Sequence, residues 1–540
     1  MISRIFLIKL LIILLMPITV SVAAVKKGSP DLPSLLLNAE NDIKKWKVAE
    51  ASGKADEALA DAATEEEKLQ AYYVKSIVEF YKGDYAKAGE FAQKVLSTAT
   101  DEDREKSFVN FIARASEKSP RFSEVKSEHF IIRYAHPKDF IIADYGKDVL
   151  EKSRFEIGLD LETYPAEPVI VEIYPDLESF TLASTLPPEN VETTGVVGIC
   201  KFNRIMVLSP RLLPRGYPWA DTLAHEYTHY LVFLKSENTV PVWLHEGIAK
   251  FQEERWREKK RDVLSPFYET ILAEALKKDE LVPVEKMHPS LAMLDSAREA
   301  QLAFAQAGTN ISYLVERWGN EGLVNLLESM KESDDFKVAL QKVTGMEFAD
   351  YYASWKADLE GKGLSEKIPG VKVKGVRIRD NNEESSDGSE DLVDIDNRKA
   401  RDHARLGDLL RTRGRLRSAS YEYEKALGYD PGSPLISTRL ASALHGSGEP
   451  DKALGILTPL LNFYPDQIQI HMILGRIYLE KENIKKAEDS YMKAISINPF
   501  DPEIHSVLAS IYEKEGRTED ALRARKALNI LLSEEPQHEQ

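Results

Sequence analysis

Residues 225–229 read His-Glu-Tyr-Thr-His. Side chains four apart share one face of a helix, so His225 and His229 can grip a single metal ion together. Leu223, Tyr227, Tyr230, Leu231 and Leu234 supply the apolar residues of such a helix, and Pro218 stands near its start. Glu226 lies one step round, within reach of a water on that ion, which is the place of a general base. Two imidazoles are too few, because a catalytic zinc takes three protein ligands and leaves the fourth position to water. The third candidate is Glu246, in Pro241-Val242-Trp243-Leu244-His245-Glu246-Gly247-Ile248-Ala249. Trp243 to Glu254 reads as a second helix that can lie against the first, with Gly247 letting the two backbones come close at the metal. Neighbours on a helix point about 100° apart, so His245 is expected in the pocket or on the surface rather than on the ion that Glu246 holds. His129, His136 and His288 fall at no ligand spacing.

HExxH followed by W-L-x-E-G-x-A resembles the gluzincin metallopeptidases, and most closely the peptidase MA-like domains. The resemblance covers roughly residues 122–360. It implies an α+β zincin-like fold, a Zn2+ cofactor, Glu246 as third zinc ligand and hydrolysis of peptide bonds. The family pattern continues with an aromatic and then an acid, matched by Phe251 and Glu253. The resemblance thus implies that Glu253 orients a ligand. Zinc chemistry would then make a nucleophile of water, with Glu226 taking its proton and passing it to the leaving amine. One departure stands out. Related enzymes place a tyrosine in a later helix to stabilise the oxyanion, and Phe304 occupies the matching position here. Tyr313, Tyr217 and Tyr268 are the candidate substitutes. An intact Glu226 favours an active peptidase, whereas Phe304 favours an inactive repeat scaffold or adaptor of the cell envelope.

Other elements must position these residues. His129 to Tyr134 and Val169 to Tyr174 read as strands, with a helix from Asp144 to Leu161 between them. Gly195 to Cys200 and Ile205 to Leu208 read as a hairpin turning through Phe202-Asn203-Arg204. Its first strand either holds an extended substrate by strand addition or is a plain core strand. Strand, helix, strand and hairpin followed by helices to about 360 describe an α+β domain. Upstream, 34–118 reads as a helical, tetratricopeptide-like region: Ala71 to Leu96 form a helix pair around Gly83-Asp84-Tyr85 that resembles a single tetratricopeptide unit or is a helical hairpin packing on the next domain.

The C-terminal region repeats. Leu406, Leu440, Leu474 and Leu508 stand 34 residues apart, each followed by Gly407, Ala441, Gly475 or Ala509. Ala419, Ala453, Ala487 and Ala521 follow at a constant offset, and Pro431, Pro465 and Pro499 close the first three units. This resembles the tetratricopeptide repeat, with four units over 400–534. The resemblance implies an all-α superhelix with a groove for peptides or partner proteins. His403, His445, His471 and His505 fall within the repeats as structural residues.

Composition sets the bounds. The 540 residues carry a net charge of −17, which argues against a nucleic-acid binder. The single cysteine, Cys200, excludes an intramolecular disulfide framework and reads as a small buried residue. Residues 1–24 carry Arg4, Lys9, an apolar run from Leu10 to Met16 and Val22-Ala23-Ala24, the pattern of a cleaved signal peptide rather than an uncleaved anchor. A periplasmic or other extracytoplasmic location is expected, with no stable span after cleavage. Residues 380–396 are acidic and carry Ser385, Ser386, Gly388 and Ser389, and 370–399 around them reads as an acidic disordered linker.

Overall fold

The computed structural model describes residues 32–98, 108–187, 196–257, 263–288, 291, 294–333, 335–367, 392 and 395–533. The proposed signal segment 1–24 and residues 370–391 lie outside them. The chain divides into two compact units, one through Ala113 and one from Arg114.

The first unit is helical: α1 (Leu32–Lys44), α2 (Val48–Asp61), α3 (Glu65–Tyr81), α4 (Tyr85–Leu96) and the start of α5 (Phe108–Glu117). Thr64 and Glu67 form a reciprocal cap that starts α3. Gly83 takes a positive φ of 69° in the turn to α4, where the sequence places the hairpin.

The second unit opens with the sheet. β1 (Ser123–Lys126), β2 (Phe130–Tyr134), α6 (Phe140–Leu161), β3 (Val169–Tyr174), α7 (Leu177–Ser184), β4 (Gly198–Lys201) and β5 (Arg204–Leu208) follow in order. The strands lie β1-β2-β3-β5-β4. The inner pairs are parallel, and β1 and β4 close the two edges antiparallel. β5 is buried along its whole length, and β3 is buried at every position but Ile170. Phe202 and Asn203 both take positive φ, which makes the β4–β5 turn tight.

Helices follow: α8 (Trp219–Ser236), which packs on β4 and β5, then α9 (Val242–Gln252), α10 (Pro266–Lys278), α11 (Ala297–Glu332), α12 (Phe336–Thr344) and α13 (Phe348–Gly361). Eight repeat helices end the chain: α14 (Arg398–Thr412), α15 (Leu416–Tyr429), α16 (Pro434–Gly446), α17 (Pro450–Phe463), α18 (Ile468–Glu480), α19 (Ile484–Ile495), α20 (Pro502–Glu515) and α21 (Thr518–Leu532). A Cβ on Gly407 or Gly475 would meet the Tyr423 or Tyr491 ring at 2.5 or 2.7 Å, so the small residues admit a paired aromatic. The repeat histidines bond within the stack. His471 and His505 each donate through Nε2 to the carbonyl of Pro465 or Pro499, at 2.6 and 2.7 Å. The linker expectation needs one correction. Leu392 and Ile395 are buried in the core of the first repeats, so the packed chain begins before residue 400. In the sequence, Asp391, Asp394 and Asp396 mask these two apolar residues.

Under the sheet, Arg204 and Glu172 are both fully buried with Nε and Oε2 3.1 Å apart. Arg133 and the Tyr174 hydroxyl also reach Glu172, at 3.3 and 2.8 Å. Replacing Glu172 by leucine is expected to cost about 3–5 kcal/mol by stranding a buried guanidinium. Adding Arg204→Met should recover most of that loss in urea unfolding; a single variant as stable as wild type contradicts it.

Asp139 is also fully buried. Ser209 donates to its Oδ1 at 2.6 Å. Burial pushes the carboxyl up to about 7, against the opposing pull of Arg211 and of that hydrogen bond. The folded state therefore keeps a proton that the unfolded chain has lost. Between roughly pH 4 and pH 7 this group's contribution to stability falls as pH rises. Asp139→Asn should gain on wild type by up to about 1.4 kcal/mol per pH unit across that window. A stability difference that stays constant with pH contradicts this.

Candidate active site

α8 and α9 lie against each other, and their facing residues carry the chemistry. His225 and His229 are one turn apart on α8, with ring centroids 4.8 Å apart. Glu246 on α9 reaches both, its Oε2 lying 3.4 Å from each Nε2. One ligating atom from each residue lies within 4.8 Å of the others. Two imidazole nitrogens and one carboxylate oxygen at this spacing fit a divalent ion that keeps a further position open.

The outer nitrogens are tied down as well. His225 Nδ1 faces Glu253 Oε2 at 3.4 Å. His229 Nδ1 lies 2.7 Å from His245 Nδ1, a pairing in which one Nδ1 carries the proton and the other accepts it. These contacts turn both Nε2 atoms toward Glu246, as a ligand's outer partner does. His245 is therefore a partner of His229 and not a free pocket residue. Helical periodicity says nothing about such contacts with a neighbouring helix, and the ligand-spaced cluster comprises His225, His229 and Glu246. Glu253 is in turn paired with Lys250.

Gly247 acts differently from expectation. A Cβ there would meet the Ala307 carbonyl oxygen at 2.7 Å, so its close approach is to α11 and not to α8. Gly198 on the edge strand β4 holds the corresponding place on the other side. A Cβ there would come within 3.0 Å of the Glu226 carboxyl. Cys200 bonds to the same carboxyl through its backbone.

Electrostatics follow from burial and neighbours. Burial raises the Glu226 carboxyl above the ordinary carboxylate range, while His229 and His225 pull it back. Burial opposes charge on His225, yet hydrogen bonds to Glu246 and Glu253 push it up to about 10. Burial would raise Glu246 too, but His229 and its bonds to both imidazoles hold it well below its usual value. His245 is pushed down to about 3 by burial and by His229. Burial and Glu226 raise the Cys200 thiol, which suits a packing residue and not a nucleophile.

The candidate oxyanion residues have contacts of their own. Phe304 is half-buried on α11. Tyr313 packs against Trp318 and Tyr351. The Tyr217 hydroxyl donates to the Leu208 carbonyl. The Tyr268 hydroxyl donates to Gln301 at 3.0 Å, and its ring lies 4.7 Å from Lys250 Nζ.

Residues 156–361 match the model of the Peptidase MA superfamily, and tetratricopeptide repeat models match 410–477, 468–501 and 490–523. The chain carries a Peptidase MA superfamily domain followed by tetratricopeptide repeats. The α8–α9 cluster falls inside that Peptidase MA region, whereas β1 and β2 precede it. Over 124 residues the chain is 31% identical to cellulose synthase operon protein C of Pseudomonas fluorescens, covering 23% of this chain and 10% of that relative. The chain thus spans about a tenth of the length of this curated relative. Among solved structures, MamA is 22% identical over 25% of this chain and 73% of its own, with a TM-score of 0.23. Yeast LTA4 hydrolase in complex with bestatin is 12% identical over 76% of this chain and 67% of its own, with a TM-score of 0.29.

Proposed function

We propose that this protein is an exported zinc-dependent peptidase whose repeats recruit protein partners or substrates. The observation that carries the reading is the meeting of His225, His229 and Glu246 around one point, with Glu226 buried beside it. A zinc ion held by those three residues would supply a Lewis acid for a peptide carbonyl and lower the pKa of a water. Glu226 is the base: it accepts a proton from water and returns it to the leaving amine. Its raised carboxyl suits both halves of that transfer. β4 ends the sheet, so its outward backbone groups can bind an extended peptide by strand addition. Gly198 keeps that strand close to Glu226. Export rests on the pattern of residues 1–24. Among the described residues no helix is long and apolar enough to cross a membrane.

A second reading has its own support. Phe304 offers no hydroxyl, and the hydroxyls of Tyr217 and Tyr268 are already bonded elsewhere. That favours a scaffold in which the repeats do the work. Incubating the full chain with unstructured peptides separates the two. The peptidase reading expects cleavage that a chelator stops and added zinc restores. Zinc-loaded protein that cleaves nothing supports the scaffold.

A further inference from the structure

The repeats touch the metal-site helix directly. Trp219, the first residue of α8, is buried, and its indole N–H donates to the Ile495 carbonyl at the end of α19, 2.7 Å away. The Tyr217 amide donates to the Ile497 carbonyl at 3.1 Å. Gly216 precedes it with a φ of +68°, and a Cβ there would lie 2.4 Å from that Ile497 oxygen. Both the backbone conformation and the space therefore call for glycine at this junction.

Charges continue the contact. Asp221 sits one turn before His225 and is buried. The Trp256 indole donates to it at 2.9 Å, Arg257 pairs with it, and Lys493 of α19 lies 3.9 Å away. α6 is held from the same side. Arg523 on α21 donates to Asp144 at 2.7 Å, pairs with Asp148 and lies 4.1 Å from the Tyr145 ring. Lys526 lies 3.9 Å from the Phe140 ring. α6 in turn packs on α8, where a Cβ on Gly146 would touch Leu223 and Trp219 at 3.4 and 3.9 Å.

From this we infer that the last two repeat units form a fixed brace for the helix carrying His225 and His229, with Trp219 and Asp221 as the positioning residues. The inference deepens the metallopeptidase reading and rests on it. A recruiting module on a loose tether has no need of buried hydrogen bonds to the catalytic domain. A brace does, because an imidazole pair displaced by about 1 Å fits an ion poorly. Metal affinity and the seating of the repeats are then linked quantities, and a partner that shifts the last repeats changes the metal site.

The test measures zinc affinity of the full chain against a chromophoric chelator, and the visible spectrum of the cobalt-loaded form. Three variants are compared with wild type, each with its thermal transition recorded. Trp219→Phe keeps an aromatic side chain but loses the N–H and part of the buried indole's volume, which the thermal transition monitors. Lys493→Ala combined with Arg523→Ala removes charged contacts at partly exposed positions. Arg525→Ala, on the same helix as Arg523 but paired with Glu513, is the control. The first two should lose roughly 10-fold in zinc affinity, the size expected for an outer partner of a metal ligand. Their cobalt spectra should change, while Arg525→Ala changes neither, and Lys493→Ala combined with Arg523→Lys should recover part of the loss. Wild type and all variants binding zinc equally, with one cobalt spectrum, overturns the brace alone. Wild type that binds no zinc overturns the metal reading and the brace with it.

Discussion

Replacing Glu226 with glutamine should cut peptide hydrolysis by roughly 10² to 10⁴-fold, the contribution of a positioned general base. Zinc content should not change. The two halves of that result separate the roles on α8. Glu226 is buried beside the cluster, yet the close contacts to Glu246 come from His225 and His229. Glutamine keeps the volume that packs against Gly198 and can still accept from the Cys200 backbone, so the fold has no reason to shift. It cannot hold a proton in transit. A variant that loses zinc along with activity would make Glu226 part of the binding set. A variant as active as wild type would remove the proposed mechanism.

The second large effect falls on the metal itself. Glu246→Ala should weaken zinc binding by more than the roughly 10–100-fold that follows loss of an outer partner. Glu253→Gln should fall within that range. The contrast tests the two acids of α9 against each other. Glu246 lies 3.4 Å from both Nε2 atoms, whereas Glu253 meets only the far side of His225. Equal losses in the two variants, measured by chelator competition, would contradict this order.

Much of this arrangement was legible in the sequence because it is periodic. His225 and His229 sit four apart on a helix, and that spacing alone puts them on one face. The strand Val169–Tyr174 showed as a β-branched run interrupted only by Glu172 and has those bounds in the structure. The repeats showed through a constant offset. Other features depend on contacts between elements, which no local pattern carries. β1 is mostly exposed, with Val125 its single apolar residue, and its strand conformation comes from pairing with β2. The bond from His245 to His229 crosses from α9 to α8. Gly247 is a point of close approach not to α8, as its place beside Glu246 suggests, but to Ala307, sixty residues downstream. Leu392 and Ile395 were hidden in an acidic stretch whose charge says nothing about two apolar side chains. The seating of Trp219 on Ile495 joins residues 276 apart in sequence, beyond any motif.

A zinc K-edge absorption spectrum of the purified full chain tests the central claim most directly. The account predicts about one zinc per chain, with two imidazole nitrogens at about 2.0–2.1 Å and carboxylate oxygen at about 2.0–2.2 Å. Glu246→Ala should alter that shell. Protein without zinc, or a spectrum that Glu246→Ala leaves unchanged, would contradict it.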